Sequence, residues 1–180
     1  MSLTRSNQPC LFLDRDGVIN ADIGYAYQPA QIHFLPGIFE LCLYFQQRDF
    51  QIIIITNQSG IARGFYTEID FQQLNHWMGQ QFAFRGIKLN AIYHCPHHPS
   101  ITGQCDCRKP AAGLFLQAIK DHAILSNHSI MIGDKVSDLV AAEKAGISKR
   151  YLIAKTKVAS HSLITASAKT PLDLLNKHMR

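Results

Sequence analysis

The chain has 180 residues, the length of one domain with a buried core, and its hydrophobic (47%) and charged (17%) fractions are ordinary for a globular protein. Its formal charge of +5 suits an anionic substrate, but no run of Lys and Arg is long enough to form a nucleic-acid-binding patch. The first ten residues lack the apolar core of a secretory signal, and no apolar run approaches the roughly 18 residues of a membrane span. We therefore expect a cytoplasmic monomer with a single domain over residues 1–180, which binds neither nucleic acid nor membrane.

Short apolar runs alternate with helical segments along the chain. Strands are predicted from these runs at residues 10–13, 50–55, 91–94, 129–133 and 150–154. Between them, apolar spacing and a Thr67–Asp70 capping box predict helices at 38–45, 67–82, 112–122 and 137–146. Residues 160–170 are predicted to be a loose polar stretch, followed by a closing helix that starts at Pro171. This alternation predicts an α/β fold of three layers, a doubly wound (Rossmann-like) parallel sheet covered by helices on both faces.

Polar motifs follow four of the predicted strands directly. Asp14 and Asp16 come after the first strand, TNQSG (56–60) after the second, a Cys- and His-rich segment after the third, and GDKVSDL (133–139) after the fourth. Taken alone, each motif has a structural explanation, since D-x-D-G is commonly a turn and Asp138 is an ordinary acid in the first turn of a helix. Because parallel strands bring their carboxyl ends to one edge of the sheet, four motifs in this order indicate a ligand site there.

The residue types at this edge suit phosphoryl transfer. Residues i and i+2 of extended backbone point the same way, so the carboxylates of Asp14 and Asp16 face one volume and require a counter-charge. Mg²⁺ meets that need, with Asp134 as a third contributor. One carboxylate then attacks phosphorus, and the other protonates the leaving alcohol. The remaining candidates for binding the phosphoryl oxygens are Thr56, Asn57 and Lys109.

A cluster of cysteines predicts a second metal site. Cys95, His97, Cys105 and Cys107 form a C-x-H…C-x-C pattern, and thiolates with one imidazole describe a closed, structural Zn²⁺ site. His98 and His94 are the alternatives to His97, and reduced thiols without metal are the simpler explanation of the cysteines. The site would staple a loop over residues 95–107 that has no secondary structure of its own, and it would position the adjoining Arg108 and Lys109.

The motifs DRDG, TNQ, RKP and GDKVSD resemble the four ordered motifs of the haloacid dehalogenase-like phosphohydrolases over residues 10–146. This resemblance implies that Asp14 is the nucleophile, Asp16 the general acid/base and Thr56 a phosphoryl-stabilising hydroxyl, with Lys109 as the conserved cation of the third motif. It also implies Mg²⁺ on the Asp14 carboxylate, the backbone carbonyl of Asp16 and Asp134. Asp138 would orient water rather than bind the metal.

The zinc loop before RKP resembles one small branch of this family, which contains heptose 1,7-bisphosphate 7-phosphatases and histidinol-phosphate phosphatases. DRDGVIN and TNQSGIARGFY are most similar to the heptose enzymes. No insertion is long enough for a separate cap domain, so the site should be open. The substrate contacts that this resemblance implies are Asp22, Ile23, Gly24, Tyr25, Thr56, Asn57, Gln58, Ser59, Arg108, Lys109 and Lys135.

The leading hypothesis is a Mg²⁺-dependent phosphatase that acts on a small phosphorylated sugar. Its expected reaction removes the 7-phosphate of a heptose 1,7-bisphosphate, in the synthesis of nucleotide-activated heptose for lipopolysaccharide. Histidinol-phosphate phosphatase is the first alternative. A nucleic-acid 3′-phosphatase, which TNQSGIARG also resembles, is opposed by the zinc loop and by the lack of a basic patch. A zinc-stapled, non-catalytic interaction module is the alternative of another class, although it should have lost at least one of Asp14, Asp16, Lys109 or Asp134.

Overall fold

The computed structural model describes residues 7–156, 159 and 161–179. Residues 1–6, most of the segment used above to exclude a secretory signal, lie outside the described residues, as does Ser160. The strands are β1 (Cys10–Leu13), β2 (Gln51–Asn57), β3 (Ala91–Cys95), β4 (Ile130–Gly133), β5 (Lys149–Ile153) and β6 (Ala166–Ala168). The helices are α1 (Ile38–Gln46), α2 (Glu68–Ala83), α3 (Pro99–Thr102), α4 (Gly113–His122), α5 (Val136–Lys144) and α6 (Pro171–Leu174).

The six strands form one parallel sheet in the order β3-β2-β1-β4-β5-β6. In the register of the central strands, Leu13 pairs with Ile54 of β2 on one side and with Ile132 of β4 on the other. The strand order therefore reverses at β1, between its neighbours β2 and β4. In doubly wound sheets, this reversal opens a crevice at the carboxyl ends of the strands, which is where ligands bind.

Each face of the sheet carries its own apolar layer. Alternate strand residues such as Leu11 and Ile52 pack against α1, α2 and the C-terminal helix, whereas Phe12 and Ile53 pack against α4 and α5. Because successive side chains of a strand point to opposite faces, a central strand covered on both sides must be apolar throughout. This explains the continuous Ile run of β2 and confirms the predicted three-layer architecture.

The sequence prediction was wrong for the polar stretch at 160–170, which contains the sixth strand. β6 pairs with β5 through Tyr151–Ala166 and Ile153–Ala168, and the backbone N–H of Ala154 donates to the carbonyl of Ala168. The small residues of this three-residue edge strand give no apolar run, so the strand depends on β5 for its formation. The closing helix starts at Pro171 as expected, but only α6 (Pro171–Leu174) is α-helical, and a π-helical segment (Leu175–Met179) continues it.

The carboxyl edge of the sheet is not covered by a second domain in the part of the chain that the structure describes. The segment after β1 contains one 3₁₀ turn (Pro29–Gln31), and the segment after β2 leads into α2. The loop after β3 differs from its prediction, because it holds the short helix α3. Within the described ranges, no helix is both long and apolar enough to cross a membrane.

Candidate active site

A buried ion-pair network lies where β1 ends. The carboxylate of Asp14 accepts a hydrogen bond from the ammonium of Lys109 at 2.9 Å, and Asp138 lies 2.6 Å from the same ammonium. Lys109 also donates to the carbonyl of Ile55 in β2 at 2.7 Å. Burial alone would lower the pKa of Lys109, but the two carboxylates outweigh it and raise this pKa. The network thus holds a permanent cation beside Asp14, which is the charge that a developing phosphoryl anion requires.

Asp134, at the end of β4, lies beside this network and completes a carboxylate cluster. One carboxylate oxygen from each of Asp14, Asp134 and Asp138 lies within 4.8 Å of the others. Burial, together with the charge of Asp14, raises the pKa of Asp134 to about 7. Such crowding of acids is stabilised by a cation, and oxygen ligands are those that Mg²⁺ prefers.

The hydrogen bonds of these three acids leave Asp14 and Asp134 suited to bind Mg²⁺, and Asp138 less so. Oδ1 of Asp134 is buried and has no hydrogen-bond partner among the described residues, so it is available to a cation. Asp138, by contrast, is engaged by Lys109 and accepts the backbone N–H of Lys135 at 3.0 Å. Gly17 permits the close approach of Asp134, because a Cβ at this position (φ +88°) would lie 2.4 Å from the carboxylate oxygen Oδ2.

Asp16 takes no part in the carboxylate cluster, because its side chain is held by donors on another side. Arg15 binds it in a bidentate manner, with distances of 2.9–3.2 Å from Nε and Nη2, and Asn20 donates to it at 2.9 Å. The Arg15 side chain is only 1% exposed. This burial was not predicted from the sequence, where an arginine between two aspartates resembles an ordinary surface residue. These donors occupy both carboxylate oxygens of Asp16 and fix its side chain in the lining of the cavity described below.

The end of β2 supplies the opposite wall of the site. Thr56 is buried, and its hydroxyl oxygen accepts a hydrogen bond from the Gln58 amide at 2.8 Å, which leaves its hydrogen free to be donated. Asn57 lines the cavity, and its side chain also holds the backbone of Lys109. Its amide group accepts from the backbone N–H of Lys109 at 3.1 Å and donates to the carbonyl of that residue at 3.2 Å. Asn57 thereby attaches the RKP segment (residues 108–110) to the end of β2 and fixes Lys109 in the site.

The predicted residues line one open cavity of about 340 Å³. Of the predicted catalytic, substrate-binding and Mg²⁺-binding residues, two lie outside its lining: Ile23, which is 51% exposed, and Asp134, which lines a neighbouring cavity that Asp22 also lines. Ser137 and Tyr66 line the cavity but were not predicted as site residues; the position of Ser137 in GDKVSDL was the signal that could have identified it. The predicted residues in the lining are Asp14, Asp16, Asp22, Gly24, Tyr25, Thr56, Asn57, Gln58, Ser59, Arg108, Lys109 and Lys135.

Two further cations, both more exposed than Lys109, lie towards the mouth of the cavity. Lys135 is half-exposed and contacts the carboxylates of Asp22 at 3.2 Å and Asp134 at 3.5 Å. Arg108 donates to the carbonyl of His97 at 3.2 Å, which attaches it to the Cys- and His-rich loop. Cations at the mouth and a buried cation at the base create two places where the cavity attracts negative charge.

The four predicted zinc ligands lie together beside the cavity. The Sγ atom of Cys95 is 2.9 Å from that of Cys107 and 3.6 Å from that of Cys105, and Nδ1 of His97 is 3.2 Å from the Sγ atom of Cys107. A tetrahedral Zn²⁺ site separates its ligand atoms by about 3.6–3.8 Å, so small movements of these side chains create one. The structure places His98 outside this cluster, with Nε2 2.7 Å from the Arg63 guanidinium.

Curated proteins with similar sequences are phosphatases. The chain is 43% identical to a D-glycero-beta-D-manno-heptose-1,7-bisphosphate 7-phosphatase of Haemophilus ducreyi over 170 residues, which cover 92% of this chain and 91% of that one. It is 48% identical to a D-glycero-alpha-D-manno-heptose-1,7-bisphosphate 7-phosphatase of Campylobacter jejuni over 147 residues, or 82% and 83% of the two chains. Each alignment spans more than four-fifths of both proteins.

The fold also matches that of a phosphatase solved with ligands. A D,D-heptose 1,7-bisphosphate phosphatase from B. bronchiseptica, complexed with magnesium and phosphate, superposes with a TM-score of 0.80 and 26% identity, covering 95% of this chain and 98% of that one. Residues 106–171 match the HAD-hydrolase-like family model. The chain therefore belongs to the haloacid dehalogenase-like hydrolases, in the branch that contains the heptose 1,7-bisphosphate 7-phosphatases.

Proposed function

We propose that this protein is a Mg²⁺-dependent phosphatase that removes the 7-phosphate of D-glycero-D-manno-heptose 1,7-bisphosphate. The observation that carries the proposal is the buried contact of Asp14 with Lys109 beside the available carboxylate oxygen of Asp134. This arrangement supplies a nucleophile, a fixed cation and a metal ligand at one point of the sheet edge. The names of the similar proteins support the substrate, and they include both anomers.

The proposed reaction has two steps on the Asp14 carboxylate. In the first, an Asp14 oxygen forms a bond to phosphorus while the bond from phosphorus to the sugar C7 oxygen breaks, and Asp16 gives its proton to that oxygen. In the second, water attacks the aspartyl-phosphate and gives a proton to Asp16, which releases inorganic phosphate and regenerates Asp14. The products are heptose 1-phosphate and phosphate.

The other polar groups of the cavity stabilise the transferring phosphoryl group. Lys109 places its ammonium beside the attacking carboxylate, and Thr56 has a hydroxyl hydrogen to donate to a phosphoryl oxygen. The Asp14 and Asp134 carboxylates, with the Asp16 backbone carbonyl, would hold Mg²⁺, whose positive charge lowers the repulsion between the nucleophile and the phosphate. Charges that are fixed in position before the reaction stabilise the transition state more than water does, because they need no reorganisation.

Selection of a bisphosphate depends on the cations at the cavity mouth. Since the described residues include no cap over the cavity, the enzyme cannot select by enclosure and must use a few charged contacts. The guanidinium of Arg108 has the planar shape that binds a phosphate group through two hydrogen bonds. We assign it to the 1-phosphate, with Lys135 as a second cation within the same cavity.

The Cys95, His97, Cys105 and Cys107 cluster is proposed to hold a structural Zn²⁺. Three thiolates and one imidazole leave no position for substrate, so this ion would act through the shape of its loop. The hydrogen bond from Arg108 to the carbonyl of His97 connects this loop to the cavity mouth. Zinc binding would in this way position Arg108 for the second phosphate.

The test is phosphate release with Mg²⁺ on four substrates: the two anomers of heptose 1,7-bisphosphate, histidinol phosphate and a 3′-phosphorylated oligonucleotide. We expect the largest kcat/KM for one heptose anomer, and the comparison identifies which. A preference for histidinol phosphate or for the oligonucleotide would refute the proposed substrate while retaining phosphatase activity. An inactive protein loaded with both metals would refute the proposal and favour an interaction module.

A further inference from the structure

A buried hydroxyl group in the cavity has no part in the steps above. Tyr66 lies between β2 and α2, directly before Thr67, and it is 5% exposed. Its hydroxyl donates to the amide oxygen of Gln58 at 2.5 Å. Burial raises the pKa of Tyr66 to about 12, so the hydroxyl keeps its proton at neutral pH and remains a donor.

Gln58 connects this hydroxyl to the two sides of the active site. Its amide nitrogen donates to the Thr56 hydroxyl at 2.8 Å and to the Asp16 carboxylate at 3.1 Å. Within the described part of the chain, the other hydrogen bonds to that carboxylate come from Arg15 and Asn20, which belong to the same loop as Asp16. Gln58 is therefore the contact that fixes the Asp16 side chain relative to the end of β2.

The orientation of the Gln58 amide depends on Tyr66. Gln58 is 2% exposed, so its oxygen would be a buried acceptor without a partner if the Tyr66 hydroxyl were removed. Leaving such a buried acceptor unpaired is unfavourable, which favours a rotated or displaced side chain. A rotated amide would turn its oxygen towards the Asp16 carboxylate, where the two acceptors repel each other.

The Tyr66 ring is held rigidly by its neighbours. It stacks on the ring of Tyr27, with centroids 5.5 Å apart and planes 11° from parallel. It also packs against the backbone of Gly60, where an added Cβ would lie 2.2 Å from a ring carbon. A rigid aromatic ring presents its hydroxyl at one fixed point, so the position of the Gln58 amide is set before substrate binds.

We infer that Tyr66 is a positioning residue for proton transfer: through the Gln58 amide it holds the Asp16 carboxyl group where it protonates the leaving sugar oxygen. The inference rests on the proposed phosphatase function and adds a residue to it. In the step concerned, the proton of Asp16 passes to the C7 oxygen as the bond from that oxygen to phosphorus breaks and the bond from Asp14 to phosphorus forms.

The experiment compares two leaving groups in Tyr66→Phe, which keeps the ring and removes the hydroxyl. The sugar oxygen of heptose 1,7-bisphosphate needs a proton to leave, whereas the nitrophenolate of p-nitrophenyl phosphate leaves without one. We expect kcat/KM to fall about tenfold for the heptose substrate and less than about twofold for the nitrophenyl substrate, since general acid catalysis contributes only to the first. The matched control is Tyr27→Phe, which removes a hydroxyl from the stacked neighbour and should change neither value.

A second measurement tests whether Tyr66 acts through Gln58. In a Gln58→Ala background, Tyr66→Phe should lower kcat/KM for heptose 1,7-bisphosphate by less than about twofold further, because the connecting amide is already absent. An equal loss on both substrates, no loss on either, or independent losses in the double variant would overturn the inference. If the unchanged protein cleaved neither substrate, the phosphatase function itself would fail, which is a different result from an active enzyme in which Tyr66→Phe behaves like wild type.

Discussion

Lys109 is the residue whose removal should affect stability most within the site. Its ammonium is 2.9 Å from Asp14 and 2.6 Å from Asp138, and all three side chains are almost completely buried. In Lys109→Met, a side chain of similar length replaces the cation and leaves two buried carboxylates without their partner. Breaking a buried ion pair in this way costs about 3–5 kcal/mol. For a protein of this size, we expect the melting temperature to fall by about 6–20 °C.

The measurement is thermal unfolding by circular dichroism without added Mg²⁺, so that no metal replaces the missing charge. Lys135→Met is the matched control, because Lys135 also contacts two carboxylates but its side chain is 59% exposed. Exposed ion pairs contribute at most about 1 kcal/mol, so this variant should melt within about 4 °C of wild type.

A further substitution tests why Lys109→Met loses stability. If unpaired carboxylates destabilise Lys109→Met, then adding Asp138→Asn should recover about 1 kcal/mol or more of the free energy of unfolding, because it removes one of them. Equal melting temperatures for Lys109→Met and Lys135→Met would refute the reasoning. A double variant less stable than Lys109→Met would also refute it, since the loss would then come from packing rather than charge.

Further predictions concern the nucleophile and the two proposed metal sites. Asp14→Asn should remain folded, because Lys109 keeps its second carboxylate partner, and phosphate-release assays should detect no multiple turnover; measurable turnover would exclude Asp14 as the nucleophile. Gly17→Ala should displace Asp134 and raise the Mg²⁺ concentration for half-maximal activity about tenfold or more. The control is Gly64→Ala, which should leave that concentration unchanged. Gly64 is also left-handed, but a Cβ there would meet nothing within 4 Å. Titration with a zinc chelator in excess Mg²⁺ should lower the melting temperature before it lowers activity; loss of activity at an unchanged melting temperature would indicate a catalytic zinc.

Several features of the fold and the site could be predicted from local sequence. The apolar runs of β1, β2 and β4 identify buried parallel strands, because a strand covered on both faces has no polar side. The Thr67–Asp70 pair marks the start of α2, where the Thr67 hydroxyl accepts the Asp70 N–H as a capping box requires. The order of the motifs brings Asp14, Thr56 and Asp134 to one edge, since parallel strands end on the same side.

Other features depend on partners that are distant in the sequence. β6 consists of three small residues and forms a strand only because β5 offers it an edge to pair with, so no apolar periodicity in the sequence predicts it. Arg15 is buried where the carbonyl of Ala26 accepts a hydrogen bond from its guanidinium and the ring centroid of Phe71 lies 5.9 Å from it. The sequence identifies Asn57 as a site residue, but it could not show that the Asn57 amide holds the backbone of Lys109, 52 residues away.

The sequence by itself determined the layered α/β architecture, the identity of the acids and cations at the sheet edge, and the four Cys and His side chains that cluster in the loop. Each of these follows from residue type, short spacing and the common direction of parallel strands. Only the tertiary structure decided which atoms these residues contact: Lys109 between Asp14 and Asp138, an oxygen of Asp134 left available, and Tyr66 attached through Gln58 to Asp16. The physical reason is that hydrogen bonds and ion pairs act over about 3 Å, a distance that only the folded chain defines.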